Sequence, residues 1–399
     1  MAKRQNRILH VITESGPYGG AQRNTFLTVR GLIEDGYDAE LICGAGGPLI
    51  QEARAAGVPV YVMADLVRPV HPVKDCRALV QLYRLFRSRR YHIVHTHSVK
   101  AGLLGRLAAW CARVPVIIHT LHGVPFRITG DFKSRFYIVY ERLLGLITRC
   151  FVCVGEVLRQ EISAWKIAPE KKLTTIYSGI DFTSYVPRHT ALETKQKLGA
   201  EGAWPIVGCI GRLSEQKAQH YLVEAVALLT NKYPHIKLLL VGEGGLRCFL
   251  EKQIQDLGIS SNVSLLGERD DIADLLNVFD VYAMSSRWEG VGRALTEAMH
   301  MELPVVATSV DGVTELITHE RTGLLAPPES AQSLAAAIDR LTMDRELANR
   351  LGSSARRKVK ELMDGRQMVH AIEELYQKLS ERTIDESPLC PTLTSDQAK

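Results

Sequence analysis

Short apolar runs of strand length alternate with amphipathic stretches along almost the whole chain. In the first half the runs are Ile8–Thr13, Ala39–Cys43, Val58–Val62, Ile93–Thr96, Val114–His119, Cys150–Val154 and Leu173–Tyr177. In the second half they are Ile206–Ile210, Lys237–Val241, Val263–Leu266, Val281–Met284 and Val305–Thr308. Continuous apolar strands separated by helical periodicity predict an α/β fold whose parallel sheets are covered on both faces. The pattern lapses around residues 180–203 into Thr, Lys, Gly and Pro. This places a linker at 186–204 between a domain at 1–185 and a second at 205–365, each of doubly wound size. A further helix is expected at 366–382. Residues 383–399, polar and carrying Pro388 and Pro391, read as a disordered tail.

Composition narrows the class. The 399 residues are 46% hydrophobic and 23% charged, which suits two soluble cores. The net charge of +5 conceals a division: residues 1–190 hold 26 Lys/Arg against 14 Asp/Glu, and the remainder 23 against 30. The basic half is expected to meet something anionic. Eight scattered cysteines form no disulfide framework, and Cys150-Phe151-Val152-Cys153 lies inside an apolar run. Reduced, mostly buried thiols in a cytoplasmic protein are the expectation.

Met1–Arg7 is polar and the apolar run after it is only strand length, so no signal peptide is expected. No run reaches the roughly 18 apolar residues of a membrane span. Phe136, Tyr140, Leu143, Leu144 and Ile147 nevertheless recur at helical spacing beside Lys133, Arg135, Arg142 and Arg149. Such a stripe is either core or a docking face for an anionic leaflet.

The chemistry concentrates in a few segments. Glu289 and Glu297 stand eight residues apart with Gly290-Val291-Gly292 after the first. A helix starting near Val291 would place Glu297 about two turns in and separate the pair by roughly 10–12 Å. That is about the length of a nucleotide sugar from ribose to sugar ring, with the free N–H groups of the helix start between the carboxylates. On the pair alone, an N-cap plus a solvated glutamate stays open. Gly211-Arg212-Leu213-Ser214-Glu215-Gln216-Lys217 follows a strand, where open α/β sheets bind ligands. The planar fork of Arg212 and the point charge of Lys217 suit phosphate oxygens, unless Glu215 takes them up. Gly16-Pro17-Tyr18-Gly19-Gly20-Ala21 makes a turn after the first strand, close enough for backbone to meet a phosphate or sugar. His95 and His97 share one face of a strand end, a pair that more often meets substrate or backbone than metal when no acidic third ligand is near. No Gly-x-Gly-x-x-Gly follows the first strand of either half, and Gly208-Cys209-Ile210-Gly211 is only a weak glycine pattern at a strand end, which counts against a two-Rossmann dehydrogenase.

In order and spacing these segments resemble the family 4 retaining glycosyltransferases of GT-B fold. The resemblance rests on Gly19-Gly20-Ala21, His119-Thr120-Leu121-His122-Gly123, Gly211-Arg212-Leu213 with Gln216-Lys217, Val241-Gly242-Glu243-Gly244, and Glu289 to Met299. It covers residues from about 7 to about 380. Three positions depart from the common pattern: Ala218 where Gly is usual, Val291 where Phe or Leu is frequent, and Ser178-Gly179-Ile180-Asp181 for Asn-Gly-Val-Asp.

The resemblance implies two doubly wound Rossmann-like domains facing a central cleft, with the 366–382 helix crossing back to the first. It implies transfer of a hexose-type sugar from a nucleoside diphosphate sugar, with uridine preferred, and retention of anomeric configuration. No cofactor is implied; the reaction is expected to be metal-independent, in keeping with the lack of any Asp-x-Asp. Arg212 and Lys217 would hold the leaving diphosphate, Glu289 the donor sugar hydroxyls, Glu297 the ribose, and His122 the sugar and phosphate portion. Gly19, Gly20, Gly211, Gly242, Glu243, Arg269, Gly290, Val291 and Gly292 complete the donor site. The base would lie against the backbone of 267–272, with Asp270 and Asp271 read as helix caps. On the acceptor side, His97, Lys100, His122 and Phe126 resemble bacterial members that extend polyprenyl-diphosphate-linked sugars for capsule, exopolysaccharide or O-antigen. Such an enzyme would sit peripherally on the inner membrane face, without nucleic acid as a partner. The alternatives are a nucleotide-sugar epimerase of the same fold and a non-catalytic sugar-nucleotide-binding protein.

Overall fold

The computed structural model describes residues 7–13, 19–123 and 132–385. Seven strands form the first sheet: β1 (Ile8–Val11), β2 (Ala39–Cys43), β3 (Val60–Val62), β4 (Ile93–His97), β5 (Val116–Leu121), β6 (Cys150–Cys153) and β7 (Leu173–Thr175). Their order is β3-β2-β1-β4-β5-β6-β7. Six form the second: β8 (Ile206–Ile210), β9 (Lys237–Val241), β10 (Val263–Gly267), β11 (Val281–Met284), β12 (Val305–Thr308) and β13 (Leu324–Ala326), in the order β10-β9-β8-β11-β12-β13. The ladders are parallel, with Ile8 opposite both Ala39 and Ile93, and Ile206 opposite Lys237. Helices cover both faces, so Ile8, Leu9, Leu238, Leu239 and Leu240 are all fully buried and alternation disappears from the sequence.

In each sheet the winding reverses once, between β1 and β4 and between β8 and β11. Loops leaving adjacent strands diverge at such a point and open a crevice at the C-terminal strand ends. The two crevices face each other. One apolar cluster joins the domains, containing Leu121 and Val154 of the first with Val291, Val310 and Val313 of the second. A polar clasp reinforces it. The Glu315 carboxylate accepts hydrogen bonds from the backbone N–H groups of Glu156 (2.8 Å) and Val157 (2.7 Å) and from the Tyr177 hydroxyl (2.7 Å). Two donors at the start of the Glu156–Ala164 helix, which have no partner inside that helix, are thus satisfied from the opposite domain.

The expected linker is not structureless. It contains the helix Ala191–Lys197, started by a capping box between Thr190 and Glu193. It is also tied to the second domain, where Asp274 accepts from the N–H groups of Arg188 (2.6 Å) and His189 (2.9 Å). The last helix spans Gly365–Asp385, so three residues of the expected tail are helical; 386–399 lie outside the described residues. This helix crosses to the first domain, where Met368, Val369, Ile372, Tyr376 and Leu379 are buried with Ile8, Val29 and Leu41. The seven described cysteines are free thiols, four of them buried. Burial pushes Cys150 and Cys153 up to about 12.

Candidate active site

The facing crevices enclose a cleft of about 1750 Å³. Its walls contain Gly19, Gly20 and His122 from the first domain, and Gly211, Arg212, Lys217, Gly242, Glu243, Arg269, Glu289, Gly290, Val291, Gly292 and Glu297 from the second. Residues scattered over nearly 280 positions therefore share one cavity. The domains approach closely: a Cβ built on Gly290 would stand 3.3 Å from the His122 carbonyl oxygen.

The second-domain wall is built on the loops after β8 and β11. Lys217 forms an ion pair with Glu289 through Oε2, which also accepts from Ser286 Oγ at 3.3 Å. The Glu289 N–H donates to Asp311 at 2.9 Å. Glu289 Oε1 has no partner among the described residues. Arg212 is exposed to the cleft, and among the described residues no carboxylate pairs with it. Glu215 is taken by Arg287 at 3.1 Å and neutralises neither cation. Ser285 Oγ lies 2.9 and 3.0 Å from the carbonyls of Lys217 and Ala218, fixing the loop that carries the lysine.

Ala218 adopts a left-handed φ of 48°, which explains why glycine is usual at that place in the resembling family. Gly242 has φ 130° and a Cβ there would meet the Gly211 carbonyl oxygen at 2.3 Å, so this crossing of two loops admits only glycine.

The helix after Glu289 begins later than expected, at Arg293, with Gly292 as its cap in a left-handed φ of 74°. Glu297 thus lies just over one turn in, not two. Its Oε1 accepts from Arg293 Nε at 2.8 Å and from the Tyr185 hydroxyl, which leaves Oε2 without a partner among the described residues. Burial and the Glu297 charge raise Tyr185 well above the ordinary phenol range, so it remains a donor. Glu243 is held by Arg247 at 2.5 Å and Arg269 by Asp271 at 2.8 and 2.5 Å. Both reach the cleft with their charge already compensated. Asp271 stands at the cap position of its helix but makes no side-chain cap bond; its carboxylate holds Arg269 instead.

On the first-domain wall, Gly19 and Gly20 open the helix Gly20–Glu34 toward the cleft. His122 follows β5, and burial pushes its imidazole down to about 4. The expected acceptor residues divide. His97 is buried directly behind His122, Nδ1 to Nε2 at 3.0 Å, and Lys100 is paired with Asp75 at 2.6 Å. Neither lines the cleft, and Phe126 lies outside the described residues. His10, His95 and His97 bring one ring nitrogen each within 4.8 Å of one another, near enough to consider a metal. Their nitrogens are already used in hydrogen bonds to one another, His122, Tyr376 and Thr120.

Several contributors were not read from the sequence. Arg293 stands four residues before Glu297, a helical pairing that spacing alone announces. Tyr185, Asp311, Ser286 and Glu315 gave no local signal. Glu161, Trp165 and Arg23 also line the first-domain side.

Two Rossmann-like domains that close phosphate-suited cations and a carboxylate pair into one cleft define a glycosyltransferase of GT-B type. Residues 19–179 match the family described as glycosyl transferase 4-like domain, and residues 191–358 match glycosyl transferases group 1. The chain belongs to the family 4 glycosyltransferases. It is 30% identical over 364 residues to the Escherichia coli UDP-Gal:alpha-D-GlcNAc-diphosphoundecaprenol alpha-1,3-galactosyltransferase, covering 90% of this chain and 93% of the relative. It is 23% identical over 383 residues to the capsular polysaccharide biosynthesis glycosyltransferase CapM of Staphylococcus aureus, covering 94% and 97%. The crystal structure of Anabaena HepE in complex with UDP and glucose has the same fold, with a TM-score of 0.82 at 23% identity over 94% of this chain and 100% of that one.

Proposed function

We propose that this glycosyltransferase moves a hexose-type sugar from a UDP-sugar, with retention, to a polyprenyl-diphosphate-linked saccharide in cell-surface polysaccharide synthesis. The observation that carries this reading is the placement of Arg212, Lys217, Glu289 and Glu297 on one wall of a cleft whose other wall presents His122. The uncompensated Arg212 fork and the Lys217 ammonium receive the diphosphate, and the Lys217 donors are sufficient for both Glu289 and a phosphate oxygen. As the anomeric bond weakens, these cations stabilise the charge gathering on the leaving oxygen. They supply the positive charge that a divalent ion would otherwise bring to the diphosphate, so no metal or cofactor enters the proposal. Glu289 Oε1 accepts from donor sugar hydroxyls and Glu297 Oε2 from ribose. The acceptor hydroxyl attacks from the face of the departing phosphate, whose oxygen takes the proton. Arg269 is tied to Asp271, so the base meets the backbone of 267–272.

Two relatives support the substrate classes. The Escherichia coli enzyme is named for a UDP-sugar donor and a diphosphoundecaprenol acceptor, and the HepE structure holds UDP and glucose. The helix Phe132–Ile147 supports a site of action at a membrane surface. No described helix is long and apolar enough to cross a membrane. Of the expected stripe, Leu144 is buried and Tyr140 bonds the Val99 carbonyl at 3.0 Å. The exposed face consists of Phe132 (82%), Phe136, Val139, Leu143 and Leu146 (77%), flanked by Arg135 and Arg142. Five large apolar side chains in water, framed by arginines on the basic domain, suit the inner membrane face where a polyprenyl-linked acceptor lies.

The test is a donor panel on purified protein, following UDP release and product configuration with and without a lipid-linked acceptor. Acceptor-dependent UDP release with an α-linked product from an α-linked donor is expected. Interconversion of free donor would favour an epimerase, and tight binding without turnover a non-catalytic protein.

A further inference from the structure

Five aromatic side chains form an unbroken string of hydrogen bonds through the first domain to the cleft. His95 Nδ1 lies 2.6 Å from the Tyr376 hydroxyl, and that hydroxyl lies 3.0 Å from His10 Nε2. His10 Nδ1 is 2.9 Å from His97 Nε2, and His97 Nδ1 is 3.0 Å from His122 Nε2. At the far end His95 Nε2 lies 2.6 Å from Thr120 Oγ1. The His10 and His97 rings are nearly parallel, at 15°. Every residue of the string except His122 is buried, and only His122 lines the cleft.

Burial keeps these imidazoles neutral at ordinary pH. A neutral imidazole has one N–H and one bare nitrogen. In a string, each ring must therefore donate in the same direction as the last, and two self-consistent directions exist. If the bonds run outward, Thr120 donates to His95, His95 to Tyr376, Tyr376 to His10, His10 to His97, and His97 to His122 Nε2. His122 then carries its proton on Nδ1, the nitrogen left for the cleft. If they run inward, His122 presents a bare Nδ1 and the string ends on the Thr120 oxygen. The Thr120 hydroxyl proton is then stranded, because Thr120 is buried and has no other side-chain acceptor among the described residues. An unsatisfied buried hydroxyl is unfavourable, so the outward direction wins.

We propose that Tyr376, carried in on the helix that crosses back from the second domain, is a positioning residue acting through His10 and His97. It fixes His122 as a neutral Nδ1–H donor toward the cleft. His122 is then a hydrogen-bond donor to an oxygen of the bound donor or acceptor and is not set up to accept a proton as a base. The purpose given to that N–H rests on the glycosyl-transfer reading above; the tautomer itself does not.

The experiment reads the tautomer directly. Protein labelled with 15N in histidine is examined by two-bond 1H–15N correlation, without substrate, at neutral pH. Wild-type His122 is expected as the Nδ1–H form. Tyr376→Phe removes the hydroxyl while keeping the ring, and His10→Gln breaks the string one step closer to the cleft. In each, an Nε2–H population of His122 is expected to appear and kcat/KM to fall about tenfold. Wild-type His122 in the Nε2–H form would overturn the proposal. So would an unchanged tautomer in both variants, or stoichiometric zinc held by His10, His95 and His97. Because the wild-type spectrum needs neither variant to fold nor any donor to be known, the tautomer assignment can fail or stand independently of the enzymatic reading.

Discussion

Lys217 and Glu289 meet in a partly buried ion pair although 72 residues separate them in sequence. The lysine lies in the loop after β8 and the glutamate belongs to the loop after β11, so the pair spans the point where the second sheet reverses its winding. Arg212, beside it, lines the cleft with its guanidinium uncompensated among the described residues. Arg212→Ala and Lys217→Ala are each expected to lower kcat by about two orders of magnitude or more, as loss of one stabiliser of a leaving group does. Folding should survive. Turnover at saturating donor and acceptor is the measurement, and wild-type rates would remove these residues from the site.

Glu289→Gln and Glu297→Gln should separate kinetically. Glu297 is anchored by Arg293 and Tyr185 through one oxygen; in the proposed role its other oxygen would hold ribose, a contact much the same in ground and transition states. Its loss should chiefly raise the donor KM. Glu289, proposed to hold the reacting sugar, should chiefly lower kcat when replaced. The reverse pattern would exchange the two roles.

Acid should unfold the protein before carboxylates titrate. Burial lowers His10 to about 3 and His122 and His300 to about 4 in the folded state, with His95, His97 and His119 lowered as well. The unfolded chain takes up these protons near pH 6.5 and the folded chain does not. Stability is therefore full above pH 6.5 and is lost as pH falls from there toward 4. Each such histidine removes about 1.4 kcal/mol per pH unit in that window. Two or three would consume much of the usual margin of about 5–15 kcal/mol. Denaturant midpoints at pH 7 and pH 5 should differ strongly, whereas equal midpoints would mean that the imidazoles are accessible to protons.

Liposome co-sedimentation addresses the Phe132–Ile147 helix. Binding is expected to need anionic lipid and to weaken with salt, because each Lys or Arg near the surface contributes about 1 kcal/mol. Phe136→Ser with Leu143→Ser should reduce the binding that persists at high salt. Equal binding to neutral vesicles, or none to anionic ones at low salt, argues against this mode of docking.

Ala218→Gly is expected to stabilise the protein by up to about 1 kcal/mol. The left-handed φ of 48° strains a residue with a Cβ, and glycine is free of that strain. Thermal unfolding of the two forms is the comparison; a lower midpoint for the glycine form would show that Ala218 packing outweighs the strain.

Twelve of the thirteen described strands were legible as short apolar runs, continuous where both faces of a parallel strand are buried, as in β1, β11 and β12. The exception was β13 (Leu324–Ala326), whose three residues sit between Gly323 and Pro327-Pro328 and carry too little pattern. The charged residues of the second-domain wall were legible for a related reason: Arg212, Lys217, Glu289 and Glu297 lie in the two segments that follow strands at the reversal of the sheet. Helix starts were read less well, since Gly292 caps through its backbone conformation and leaves no side-chain signal.

Sequence alone therefore determined the two-domain α/β architecture, the family and the charged residues that line the second-domain wall of the cleft. Each of these is encoded in contiguous segments of a few residues. What only the tertiary structure decided depends on contacts between distant segments. Glu315 clasps the start of a helix 159 residues away, and Tyr376 reaches His10 across 366. His97 lies behind the cleft and Lys100 beside Asp75, although their segment resembled an acceptor site. No local pattern announces such contacts, because a buried polar group is satisfied by whatever partner the packing of whole elements brings to it.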